Sequence, residues 1–127
     1  RGVRVRLILP GVSDLRVVRF ATQRMYTSLL RAGVRILEWP ERMMHAKTAV
    51  IDGVWAMVGS YNLDNMSLRY NLEVGVAVVD RAFGKRMSDE FDADAAKCRV
   101  VELAVWRRRA FWRKCLEWLA FRFRRWL

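Results

Sequence analysis

HAKTAVIDGVWAMVGSYN, residues 45–62, is the stretch on which the reading of this chain turns. His45 and Lys47 are separated by one residue, Asp52 follows after four more, Gly59-Ser60 after a further six, and Asn62 closes the run. Ala46 to Asp52 is apolar and partly β-branched, Gly53 interrupts it, and Trp55 to Val58 resumes it as far as Gly59. Two short strands joined by an Asp-Gly turn account for this pattern. Side chains alternate across a strand, so His45 and Lys47 project to the same side. An imidazole beside an ammonium makes a poor metal site but suits attack on a phosphodiester. The imidazole would act as nucleophile or general acid, and the lysine would hold a non-bridging phosphate oxygen. Asp52 lies an odd number of residues from both, which assigns it to a structural role or to the layer behind the site. Ser60 and Asn62, just past a glycine at the strand end, offer a hydroxyl and an amide to the same phosphate.

Upstream, Val3 to Leu9 alternates apolar and basic before turning continuously apolar, the pattern of a strand entering a core. Pro10-Gly11 stops it. Ser13 is expected to cap a helix with Asp14 in its first turn, and Val17, Ala21, Met25, Leu29 and Ala32 fall at helical spacing. Gly33 ends that helix, and Val34 to Trp39 forms a second strand whose default pairing with the first is parallel. Downstream, Leu63 to Leu68 suggests a short helical or irregular segment across the top of the site. Asn71 to Val79 (NLEVGVAVV) has the character of a buried strand, in which Glu73 is the odd residue. A carboxylate there needs a partner, because burying it unpaired is costly. Either it hydrogen-bonds an imidazole, fixing the tautomer and orientation of His45, or it pairs with one of the many arginines. Asp80 is placed to cap a helix from Arg81 to about Cys98. From Leu103 a final helix is expected, with Trp112, Cys115, Leu116, Leu119, Phe123 and Trp126 on its apolar side and Arg107, Lys114, Arg124 and Arg125 mostly opposite.

At 127 residues the chain is long enough for one domain with a real core. It starts without an initiator Met or signal peptide, and Arg1 to Val5 already has strand character, so the expectation is the C-terminal portion of a longer enzyme. The net charge of +11 is uneven: residues 98–127 hold nine Lys/Arg, Arg113 among them, against Glu102 and Glu117. A basic body with a still more basic end suits an anionic partner, nucleic acid or anionic lipid. Cys98 and Cys115 lack metal-type spacing partners, which implies a reduced compartment and no structural zinc. No apolar run reaches the roughly 18 residues of a membrane span.

The His-x-Lys spacing resembles the signature of the phospholipase D superfamily. The runs GVRVRLILPGVSD, LLRAGVRILEWPERMMHAKTAVIDGVWAMVGSYNLD and SLRYNLEVGVAVVDRAF are similar to the second half of bacterial cardiolipin synthases, in particular the shorter type without N-terminal membrane spans. The resemblance covers residues 2–95 well and the tail more loosely. It implies an α/β fold, a phospholipase D-like half with a mixed β-sheet flanked by helices and a C-terminal basic amphipathic helix. The expected division is a catalytic half at 1–98 and a basic aromatic tail at 99–127. Carried over, His45 and Lys47 match the catalytic pair, Ser60 and Asn62 the phosphate-side polar residues, Glu73 the carboxylate that orients the histidine, and Asp52 a motif member outside the immediate site. Met66 stands where many relatives have Arg, and Tyr61 replaces a small residue; either departure bears on the headgroup or acceptor accepted.

The implied reaction is phosphatidyl transfer between two phosphatidylglycerol molecules through a phosphohistidine, releasing glycerol, with no cofactor and no metal. It needs a second motif-bearing half, from the same chain or another subunit. The implied place is the cytoplasmic face of the bacterial inner membrane, held peripherally. Membrane contact would run through Trp112, Leu116, Leu119, Phe123 and Trp126 with Arg113, Arg124 and Arg125; a helix that merely caps the core is the alternative. Two further readings compete: a hydrolase of phospholipid or nucleic acid on the same scaffold, and a non-catalytic anion-binding module. The complete set of polar site residues speaks against the module. The continuous apolar stripe, unlike dispersed aromatics that stack bases, speaks against nucleic acid.

Overall fold

The computed structural model describes residues 2–40, 44–62 and 71–123. The Leu63–Leu68 segment, with Met66, and Arg124, Arg125 and Trp126 lie outside the described residues. Within them the fold is α/β, with six strands in two three-stranded sheets. The chain forms two compact units, residues 1–44 with 97–127, and residues 45–96.

The first unit begins with β1 (Arg6–Pro10), α1 (Arg16–Arg31) and β2 (Arg35–Trp39), and the two strands pair in parallel from Arg6↔Arg35 to Pro10↔Trp39. The helix stops where Gly33 takes a positive φ of 83°. There Gly33 N–H donates to Leu30 O (3.1 Å) and Val34 N–H to Leu29 O (3.0 Å), a Schellman stop that satisfies the last carbonyls. The start differs from expectation. Leu15 occupies the N-cap position without a side-chain bond, while the Ser13 hydroxyl donates to Leu15 O at 3.2 Å. The buried face is also rotated: Ala21, Gln23 and Tyr26 are inside, whereas Val17 and Met25 are exposed.

Glu38 explains the rotation. Its side chain on β2 is 2% exposed. Its carboxylate accepts from the Tyr26 hydroxyl (3.3 Å), the Gln23 amide (3.4 Å) and the Arg99 guanidinium. Two polar residues of α1 are drawn inward because a buried carboxylate must be hydrogen-bonded. Burial, and then the Glu38 charge, push the Tyr26 hydroxyl well above its ordinary pKa, so it remains a donor. Arg99 faces Glu38 because Arg99–Val100 forms β6, antiparallel to β2 with Glu38↔Arg99 and Leu37↔Val100 in register. The apolar core consists of Tyr26, Ile36 and Val101, with Leu9, Leu29, Leu30, Val34 and Trp106 against it.

After β6 the single expected helix is two: α3 (Leu103–Arg107) and α4 (Phe111–Arg122), broken at 108–110. Neither Gly nor Pro marks the break; Arg109 pins it. Its guanidinium donates to both Glu117 oxygens (2.7 and 2.6 Å) and to Trp106 O (2.8 Å), and lies 4.4 Å from the Trp106 ring centroid. Trp106 in turn stacks on Tyr26 with ring centroids 4.9 Å apart.

The second unit holds β3 (Thr48–Ile51), β4 (Trp55–Gly59) and β5 (Gly75–Val79), an antiparallel sheet in that order, followed by α2 (Arg81–Lys97). Asp80 caps α2 as the sequence suggests, accepting from Phe83 N–H at 2.7 Å. A Cβ at Gly84 would lie 2.4 Å from Gly53 O, so the glycine lets α2 close onto the hairpin turn. The buried strand expected at 71–79 is instead a short edge strand, with Val74, Val76 and Val79 exposed. The cause is its position in the sheet, where among the described residues it pairs with β4 alone.

Removing Arg109 leaves the Glu117 carboxylate, 1% exposed, without its charge partner. Arg109→Ala is expected to lower unfolding stability by about 3–5 kcal/mol, the range for breaking one side of a buried pair, as read from urea unfolding of the intact protein.

Candidate active site

The hairpin turn settles where the motif residues fall. Asp52 and Gly53 both have positive φ (51° and 63°), and Val54 N–H donates to Ile51 O at 3.1 Å, the geometry of a type I′ turn; the pairing Ile51↔Trp55 leaves three residues, Asp52 to Val54, in the loop. Asp tolerates the left-handed conformation better than most residues. Exposed Asp52 therefore sits at the tip of the hairpin, while Lys47 stands at the other end, about 17 Å away along a strand rising 3.4 Å per residue.

His45 and Lys47 lie just before β3. The sheet ladder continues one residue beyond the strand, with Gly59 N–H donating to Lys47 O at 3.0 Å. Extending the register Thr48↔Val58 places Lys47 opposite Gly59, which is itself opposite Gly75. Directly opposed residues share a face, so the lysine stands beside two positions with no side chain, and the sheet is open there. The Lys47 ammonium donates to the His45 carbonyl at 2.8 Å, which holds the cation next to the histidine and leaves two of its protons for another acceptor. The His45 side chain is exposed and donates to no group among the described residues.

Gly59 is imposed by backbone approach. A Cβ there would lie 2.7 Å from Val74 O and 3.0 Å from Gly75 Cα. The next residue clasps β5: Ser60 N–H donates to Val74 O (2.9 Å), Val74 N–H donates to Ser60 Oγ (3.1 Å), and the Ser60 hydroxyl donates to the Glu73 carboxylate. Asn71 Nδ2 donates to the other Glu73 oxygen at 3.3 Å. The structure thus joins Ser60 to Glu73 directly and commits the serine proton to that carboxylate. Asn62 is exposed two residues on. Asn71 was not singled out from sequence; its place two residues before Glu73 in an extended segment was the available signal.

In the tail, α4 turns the expected stripe outward. Trp112 (60% exposed), Cys115, Leu116, Leu119 and Phe123 all face solvent, and the inward side carries Glu117 and Ala120. Arg113 is also exposed, 5.8 Å from the Trp112 ring centroid. No helix among the described residues is long and apolar enough to cross a membrane.

Fold and motif together define a phospholipase D-like domain. The family model described as cardiolipin synthase, PLD-like domain, matches residues 1–95. The chain is 39% identical to cardiolipin synthase B of Escherichia coli (strain K12) over 126 residues, 98% of this chain and 30% of that protein. It is 36% identical to cardiolipin synthase B of Salmonella typhi over 126 residues, with the same coverage. Against cardiolipin synthase A of Serratia proteamaculans (strain 568) the identity is 35% over 123 residues, 97% of this chain and 25% of the relative. The chain belongs to the cardiolipin synthase family and corresponds to the C-terminal part of these relatives, spanning 30% of their length or less. No solved structure matches it.

If Asp52 serves the turn, Asp52→Asn, which also tolerates positive φ, should leave stability and phospholipid turnover within a few-fold of the parent. Asp52→Val should cost about 1–2 kcal/mol in thermal or urea unfolding, since a β-branched residue is strained there. Loss of turnover in a normally folded Asp52→Asn protein would place the carboxylate in the chemistry after all.

Proposed function

We propose that this chain supplies one of the two half-sites of a cardiolipin synthase. The observation that carries the reading is the Lys47 ammonium held against the His45 backbone, beside an exposed imidazole and a glycine-floored stretch of sheet. One histidine attacks the phosphorus of phosphatidylglycerol, forming an N–P bond. The P–O bond to glycerol breaks, and the departing alkoxide takes a proton from the second histidine. That histidine then removes the proton from a hydroxyl of another phosphatidylglycerol. The hydroxyl oxygen attacks phosphorus, the N–P bond breaks, and cardiolipin leaves. Dividing the displacement into two steps lowers the barrier through a covalent way-point. Lys47, with Asn62, stabilises charge on the non-bridging oxygens. Glu73, bonded in this structure to Ser60 and Asn71 and not to His45, is the carboxylate assigned to orient the imidazole in the assembled site.

His45 is the only histidine of the 127 residues, so the second imidazole comes from another motif-bearing half, in the same polypeptide or another subunit. Exposed Val74, Val76 and Val79 on the β5 edge support an apolar neighbour there. The outward stripe of α4 supports peripheral attachment to an anionic membrane surface, on the cytoplasmic side of the bacterial inner membrane. Trp126, Arg124 and Arg125 extend the same tail.

In the intact enzyme, His45→Ala should lower cardiolipin formation by at least about 10²–10⁴-fold, the contribution of a positioned acid–base group; unchanged product on thin-layer plates refutes the assignment. The same plates separate transfer from hydrolysis, because water as acceptor yields phosphatidic acid in place of cardiolipin. A proven monomer of these 127 residues should make neither product.

A further inference from the structure

We infer that a groove formed by α1, α3 and α4 binds one anionic phospholipid molecule, at a site sharing no residue with the His45 half-site. The groove encloses about 690 Å³ and lies wholly within the unit built on β1, β2 and β6. That volume is in the range of small-ligand sites. Its lining includes three cations, Arg24 of α1 with Arg107 and Lys114, and three large apolar side chains of α4, Phe111, Trp118 and Leu119.

Charge selects the ligand. The carboxylate lining the groove is Glu117, and both its oxygens are taken by Arg109. Arg24 and Arg107 pair with no carboxylate among the described residues, and the Lys114 ammonium donates to Arg107 O at 3.0 Å, which holds those two residues together on the groove lining. Desolvated anions are held best where several cationic donors converge on one phosphate. Among the apolar lining, Phe111 is 79% and Trp118 57% exposed, and Leu119 belongs both to the groove wall and to the outward stripe of α4. A ligand satisfying both kinds of lining joins a phosphate to hydrocarbon. A free phosphate leaves the aromatic wall wet. A second copy of this chain, itself at +11, meets like charge.

The inference rests on the reading that anionic phospholipid is this protein's milieu, but its test is independent of catalysis. The probe is phosphatidylglycerol with brominated acyl chains, at a few mole per cent in phosphatidylcholine vesicles; the readout is quenching that disappears in Trp118→Phe. Arg24 belongs to α1 and not to α4, the helix that carries the outward stripe, so it separates a groove from general contact through α4. Arg24→Glu is expected to weaken the Trp118-dependent signal at least about tenfold, with unchanged circular dichroism. Arg16→Glu, exposed on α1 but outside the groove, should change it less than about threefold, and brominated phosphatidylcholine should give little signal. The inference is overturned if Arg24→Glu binds normally, if Arg16→Glu is the more damaging change, if millimolar inorganic phosphate abolishes the signal, or if Trp118 proves to mediate self-association by sedimentation. His45→Ala should bind like the parent in this assay while losing cardiolipin formation, so failure of the catalytic reading and failure of the groove give different results.

Discussion

The site depends on how closely two backbones approach at the rim of the second sheet. Gly59 lets β4 come within a distance of β5 that no side chain permits, and Gly75 lies opposite it across the ladder. Because of that approach, the Ser60 backbone and hydroxyl can tie β4 to Val74 and reach the Glu73 carboxylate. Because the same row carries no side chain beyond Lys47, the ammonium stands over open sheet. The Gly-Ser pair of the motif is therefore an architectural clasp first. It sets the height of one wall of the site and fixes the carboxylate on it.

The first unit is organised by a comparable constraint in its interior. Glu38 is buried on β2, and four residues from three elements are placed by its needs or by those of its neighbours: Gln23, Tyr26, Arg99 and, through the stack on Tyr26, Trp106. Arg109 repeats the device at Glu117 and bends the tail back onto the domain. Both carboxylates are poor choices for a core in isolation, since charge burial costs more than apolar packing unless every oxygen is met. Met in full, they fix which side of each helix faces inward.

Much of this was legible in the chain itself. The apolar, partly β-branched runs flanking Asp52-Gly53 define the hairpin, the order strand–helix–glycine–strand defines the parallel pair, and Asp80 before a helical run defines its cap. The His-x-Lys spacing places the candidate site side chains at one end of a strand and the motif aspartate at the other. What stayed hidden has physical causes. Hydrophobic spacing on α1 pointed to Val17 and Met25 because it counts Gln23 and Tyr26 as polar, and a buried carboxylate fifteen and twelve residues away reverses their preference. The break at 108–110 lacks Gly or Pro and depends on one arginine reaching eight residues forward. Ser60 looked like a free phosphate donor because sequence spacing cannot show that β5 returns to within reach of its hydroxyl.

Helix α4 inverts the usual partition of a water-soluble helix, with oily residues outside and a carboxylate inside. Its inner face is locked to the domain by Arg109 and, through Trp106, to Tyr26, so rolling over to hide the stripe would break a deeply buried ion pair of the unit. Among the described residues the stripe is thus permanently exposed rather than conditionally so. Clumping of the 127-residue chain in a detergent-free preparation would follow from its folded exterior, with no misfolding required.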